Sequence, residues 1–182
     1  MKVIVEEYNP QWAIQFQNIK SEVEDILRGV RYISIEHVGS TSVPGLPAKP
    51  IIDLSVVSEA ADVSAAIEAL TSNGGYTYMG EMGIPDRHAF RKPSVLPRRN
   101  LYVSVKGCHS IRNHLGVREV CRSDPEVREA YGQAKLALSE REWNNVDEYC
   151  EAKNEILSWV LERAGMNSED RKIARQLNTT TQ

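Results

Sequence analysis

Residues 39 to 53 read Gly39-Ser40-Thr41-Ser42-Val43-Pro44-Gly45-Leu46-Pro47-Ala48-Lys49-Pro50-Ile51-Ile52-Asp53, a backbone-rich turn between two apolar runs that ends on a carboxylate. Gly39 lets a ligand approach the main chain closely, Ser40, Thr41 and Ser42 offer hydroxyls and N–H groups, and Lys49 brings a cation to the same place. The natural guest of such a turn is an anion, a phosphate above all. The spacing is not that of a Walker A loop, because Gly39 and Gly45 stand one residue too far apart and Leu46 occupies the lysine position. The G-x-G-x-x-G spacing is absent as well.

The stretch resembles the opening motif of the nucleotidyltransferase superfamily, in which Gly-Ser ends one strand and a carboxylate pair follows in the next. The fuller wording, from His37-Val38-Gly39-Ser40 through Leu46 and from Lys49 to Asp53, resembles one family of that superfamily, GrpB. Tyr8-Asn9-Pro10-Gln11-Trp12, Gly83-Ile84-Pro85-Asp86-Arg87 and the helices from His114-Leu115 to Tyr131 extend the resemblance over nearly the whole chain. It implies an α+β fold, a nucleotidyltransferase-like mixed β-sheet with flanking helices and a C-terminal helical part. It further implies a nucleotide or other phosphorylated small molecule at Gly39, Ser40, Thr41 and Lys49, with Asp53 as the catalytic carboxylate and the ligand of an expected Mg²⁺. Transfer of a nucleotidyl group and non-catalytic binding or regulation on the same scaffold both remain open.

Two-metal transfer needs several carboxylates, and residues i and i+2 of a strand can supply two on one face, roughly 6.5 to 7 Å apart along the chain. Here that pair is Asp53 and Ser55, and a hydroxyl neither offsets nor bridges divalent charge as a carboxylate does. The outward face of the next candidate strand carries Asn100, Tyr102 and Ser104, again without a charge. Where many GrpB members resemble His-x-His, this chain has Asn100-Leu101-Tyr102. Two-metal transfer is therefore not expected. A strand-end aspartate can also simply accept hydrogen bonds from its neighbouring turn.

The elements that position these residues follow from periodicity. Asn9-Pro10 starts a helix whose apolar residues Trp12, Phe16, Ile19, Val23, Ile26 and Leu27 recur at helical spacing up to Gly29. Tyr32 to Val38 and Ile51 to Val57 read as strands, with Ile33, Ile35 and His37 on one face of the first. In the second, Ile52, Leu54 and Val56 point to the core, while Asp53 faces the glycine-serine turn. A helix from Ala60 to Ser72 and strands at Tyr76–Met79, His88–Lys92 and Leu101–Lys106 follow, and the last third is helical from Asp124-Pro125 and from about Asp147 to Arg163. Ser168 is expected to cap a short final helix packed through Ile173 and Leu177. Strands first and helices late argue for α+β.

The 182 residues, 41% hydrophobic, suit one domain over residues 1–182. A net charge of −3 gives no general attraction to nucleic acid, and the scattered aromatics form no stacking platform, so nucleic acid is not an expected partner. No apolar run is long enough for a membrane span, and a cytoplasmic location is expected. Cys108, Cys121 and Cys150 fit neither a disulfide framework nor a zinc site. No acidic residue lies between Arg87 and Arg118, so a local positive field is expected there; it suits either solvated strand edges or an anion. Arg87, Arg91 and Lys92, beside the Gly83–Asp86 turn, are the candidates to touch that anion. His37 is expected in the core, His109 and His114 act separately, and Lys153 is expected to lie away from the site.

Overall fold

Asn9 and Pro10 set the first helix as their chemistry dictates, with Asn9 Oδ1 accepting the Gln11 N–H at 2.9 Å. The computed structural model describes residues 2–180, the side chains of 146–147 and 177–180 excepted. Helix α1 (Gln11–Ile26) is followed by β1 (Ser34–Val38), β2 (Ile52–Ser58), α2 (Val63–Ser72), β3 (Thr77–Tyr78), β4 (Arg87–Arg91) and β5 (Arg99–Val105). Four helices complete the chain: α3 (His109–Ser123), α4 (Pro125–Ser139), α5 (Val146–Arg163) and α6 (Ser168–Thr180). The sheet order is β1-β2-β5-β4-β3, parallel only between β2 and β5.

Alternation along the central strands builds two different faces. Ile52, Leu54 and Val56 of β2 and Leu101 and Val103 of β5 pack against Trp12, Phe16, Ile19 and Val23 of α1 and Val63, Ala66 and Leu70 of α2. Burial of each large apolar side chain there is worth about 1.5–3 kcal/mol. The opposite face carries Asp53, Ser55, Asn100, Tyr102 and Ser104 and is covered by the C-terminal helices. Val38 and Val57 meet Ile111 of α3, while Val43 and Leu46 of the β1–β2 connection pack with Val127 and Tyr131 of α4 and Val160 of α5. The connection is thus clamped between sheet and helices.

Several sequence expectations need correction. Strand β1 begins at Ser34, and Ile33, outside it, is 49% exposed, so the inward face is Ile35 and His37 alone. Asn167 rather than Ser168 caps α6, its Oδ1 accepting the Asp170 N–H at 2.8 Å, and the side chain of Leu177 lies outside the described residues. The positive charge of the segment from Arg87 to Arg118 is largely offset, because five of its cations are met by acids from elsewhere in the chain. Lys92 and Arg99 both bind Glu22 at 2.7 Å, Lys106 binds Glu59, Arg112 binds Asp170 and Arg118 binds Glu36.

Two positions fix how β2 meets its surroundings. Ser55 is wholly buried and donates its hydroxyl to Ser104 Oγ at 2.8 Å, a cross-strand bond that takes it out of any cleft. Gly39, directly after β1, has φ +70° and ψ −177°, a conformation essentially restricted to glycine. A Cβ there would lie 2.3 Å from Asp53 Oδ2, so the carboxylate sits against bare main chain.

Ser55→Asp should lower stability by about 3–5 kcal/mol, the cost of an unpaired buried charge. The buried carboxyl would hold its proton to higher pH than the unfolded one, so the loss should shrink as pH falls; denaturant melts at several pH values measure this. Gly39→Ala should cost about 1–3 kcal/mol from its backbone conformation alone, with the clash against Asp53 added. An unchanged denaturation midpoint for Gly39→Ala would contradict the described contact.

Candidate functional site

Asp53 stands at the start of β2, where the parallel register sets it beside Asn100 of β5. Asn100 Nδ2 donates to Asp53 Oδ1 at 2.7 Å, and Gly39 closes on Oδ2 from the other side. Burial raises the Asp53 carboxyl above its ordinary range, against the opposing pull of Asn100 and of Lys153, Lys135 and Lys49.

The turn at Ser40–Ser42 is held by its own hydroxyls and by α3. Ser42 Oγ donates to Gly39 O at 2.6 Å, and Thr41 Oγ1 donates to Ile51 O at 3.2 Å. That leaves the Thr41 oxygen to accept from His37 Nε2 at 3.0 Å. His37 stacks on Phe16 at 4.5 Å, and burial, with Arg122 and Arg118 nearby, lowers its pKa to about 4, so it is a neutral core residue as expected. Arg122 donates to Ser42 O, and Arg118 to His37 O. Ser40 is the turn residue that borders open space on both sides of Asp53.

Two cavities meet at Ser40, Asp53 and Lys153. The first, about 190 Å³, gathers three lysines around Asp53: Lys49, Lys135 of α4 and Lys153 of α5. Lys49 Nζ lies 4.3 Å from the Tyr149 ring centroid, and burial followed by the charge of Lys153 lowers its pKa. Lys135 is 3% exposed, donates to Pro47 O, and is pushed down to about 7 by burial and then by Lys153. Lys153 is held up, chiefly by Tyr131. The second cavity, about 210 Å³, extends from Asp53 toward Arg87 and α3.

Of the sequence candidates, Ser40 and Asp53 lie at the junction, Thr41 and Lys49 border the lysine lobe, and Gly39 and Arg87 border the second lobe. Thr41 contributes only a committed hydroxyl. Arg91 is exposed on β4 beside Thr77, and Lys92 pairs with Glu22, so neither reaches the cleft. Lys153, expected elsewhere, is central. Lys135, Lys153, Asn113 and His114 were not singled out as site residues. A signal existed for the lysines: Tyr131-Gly-Gln-Ala-Lys135 and Tyr149-Cys-Glu-Ala-Lys153 repeat Tyr-x-x-Ala-Lys, placing each lysine on its tyrosine's inward helical face.

A resident divalent cation does not fit this donor set. Among the described residues no group of three or more His, Cys, Asp or Glu converges on a metal position, and Asp53 is the sole carboxylate bordering either lobe.

Comparison with known proteins places this geometry. The GrpB protein family model matches residues 2–163. A UPF0157 protein of Halalkalibacterium halodurans is 35% identical over 159 residues, covering 87% of this chain and 80% of that protein. The crystal structure of conserved protein GrpB from Enterococcus faecalis superposes with a TM-score of 0.74 at 30% identity, covering 94% of this chain and 99% of that one. The Cid1 poly(U) polymerase, at 10% identity and a TM-score of 0.59 over 85% of this chain and 50% of that one, shares the fold. The chain belongs to the GrpB family and has a nucleotidyltransferase-like fold.

Proposed function

We propose that the protein binds a nucleotide or other phosphorylated small molecule, with its phosphate groups in the lysine lobe. The observation that carries this is the convergence of Lys49, Lys135 and Lys153 on a cavity with a single carboxylate. Clustered like charges are costly to hold together, and an incoming polyanion offsets them all at once. Ser40 borders the same space and offers a hydroxyl to a phosphate oxygen. In this reading the ammonium groups supply the charge compensation that metal ions supply where two carboxylates are present, and Asp53 orients Lys153 and Asn100 around the ligand. The site is a binding site first; nucleotidyl transfer would require Asp53 to act as the base on an acceptor, which its raised pKa permits.

Calorimetric titration with ATP, UTP and inorganic pyrophosphate, in EDTA and in Mg²⁺, tests the proposal. Binding should persist in EDTA, and Lys49→Ala and Lys153→Ala should each weaken it by about 1.5–3 kcal/mol, the worth of a charged hydrogen bond. Lys172→Ala, at an exposed position of α6, should change nothing. Failure of every phosphorylated ligand to bind in both conditions overturns the reading.

A second prediction follows from Lys135. With its pKa near 7, it is largely neutral above neutral pH, and a bound polyanion raises that value, so binding should take up a proton. Titrations in buffers of differing ionisation enthalpy at about pH 8 should report uptake approaching one proton, absent in Lys135→Gln. In the free protein the sign is opposite to that of a salt-bridged lysine. Between about 7 and the ordinary lysine value the unfolded chain binds more protons, so the Lys135 contribution to stability improves as pH rises through that window.

A further inference from the structure

Three buried polar atoms at the second lobe have no hydrogen-bond partner among the described residues: Arg87 Nε, Asn113 Oδ1 and His114 Nδ1. Only Ser58 Oγ and Arg171 Nε share that condition elsewhere, so most of the unmet polar capacity is gathered at one cavity. Buried polar groups are otherwise almost always paired, and a cluster of exceptions beside an open volume marks a place where a ligand supplies the partners.

Arg87 sharpens the chemistry. It is 7% exposed, its guanidinium lies 4.8 Å from the Tyr102 ring centroid, and no carboxylate of the described residues forms an ion pair with it. Arg99, on the neighbouring strand, is by contrast paired with Glu22 at 2.7 Å. A lone buried guanidinium calls for a planar anion that it can grip side-on. Asn113 Oδ1, as an acceptor, calls for a donor, and His114, lowered to about 4 chiefly by burial, is neutral and adds no charge. Ile84, Val117, Leu157 and Leu161 give the lobe an apolar wall, and Asp53 and Lys153 border it where it meets the lysine lobe.

We propose that this lobe binds a small carboxylic acid carrying a nearby hydroxyl or amino donor. Its carboxylate would lie on Arg87, its hydroxyl or amino group would donate to Asn113 Oδ1 with His114 Nδ1 as the second partner of that group, and its carbon body would lie against Val117 and Leu157. Arg87 and Lys153 against Asp53 leave this lobe with about one net positive charge, which matches one carboxylate, whereas the lysine lobe sets three lysines against the same carboxylate and has the charge for phosphates. The volume of about 210 Å³ lies below that of sites for drug-sized ligands and suits a molecule of a few carbons. Placement of the acid beside a phosphorylated ligand rests on the proposed function, because the lobes share Ser40, Asp53 and Lys153; binding of the acid does not.

The test is calorimetric titration of wild type, Arg87→Lys, Asn113→Ala and Val117→Phe with L-lactate, L-malate, L-serine and L-leucine, with lactamide as the uncharged control and pyrophosphate as the reporter of the lysine lobe. Thermal melts establish that each variant is folded. At least one acid should bind wild type, lactamide should not, and each variant should bind that acid about tenfold or more weakly while pyrophosphate affinity is kept. If Arg87→Lys does not fold, Asn113→Ala and Val117→Phe decide. Absence of binding by all four acids, equal binding of lactamide, or acid binding unchanged in the folded variants overturns the assignment. Loss of pyrophosphate binding with acid binding intact would instead count against the phosphate reading alone.

Discussion

The contact of the Gly39 main chain with the Asp53 carboxylate governs the site. A strand end, a turn and a second strand can bring a carboxylate this close to backbone only where no side chain intervenes, and the positive φ of Gly39 bends the chain so that Ser40 stands beside Asp53 rather than over it. Everything placed around the carboxylate is placed relative to that contact. Asn100 reaches it through the parallel register of β2 and β5, and the lysines reach it through helices that pack on the clamped β1–β2 connection. Moving β2 by one residue would turn Asp53 into the apolar core and carry Leu54 to the cleft.

The helices laid on the outer face of the sheet determine the electrostatic character of the cleft. Tyr131 and Tyr149 provide aromatic surface, Lys135 is held at the edge of the lysine lobe by its bond to Pro47 O, and Lys153 projects to where both cavities meet. The resulting balance is cationic although the chain as a whole is acidic. Elsewhere on the molecule most basic residues of the central segment, Lys92, Arg99, Lys106, Arg112 and Arg118, are paired with acids.

The turn and its carboxylate were legible because they depend on local chemistry: glycine, hydroxyls, prolines that hold an extended path, and a strand alternation that fixes the direction of Asp53. Alternation likewise put Asn100 on the outward face of its strand, and the register then delivered it to Asp53. What alternation cannot supply is depth. Ser55 shares a face with Asp53 but is buried and bonded to Ser104, and Arg91 shares a face with Arg87 but stands near the sheet edge. Lys135 and Lys153 lie about 80 and 100 residues from Asp53 in the chain, and their meeting depends on how helices dock rather than on any local signal. Asn113 and His114 were harder to place: the resemblance put helices from His114-Leu115 onward but gave neither the start at His109 nor an inward face, so neither residue had an assigned direction.

Helix α3 has a double attachment. Near its middle it presents Asn113 and His114 to one lobe, and further along the same rod Arg118 and Arg122 grip the carbonyls of His37 and Ser42, the residues that bracket the turn at the other. A rigid helix transmits displacement along its length. Under the proposed occupancy, a ligand that draws Asn113 inward would either pull the turn with it or break charged hydrogen bonds, and the occupants of the two lobes would then be coupled through α3. By thermodynamic reciprocity, whatever the first does to the affinity of the second, the second does to the first.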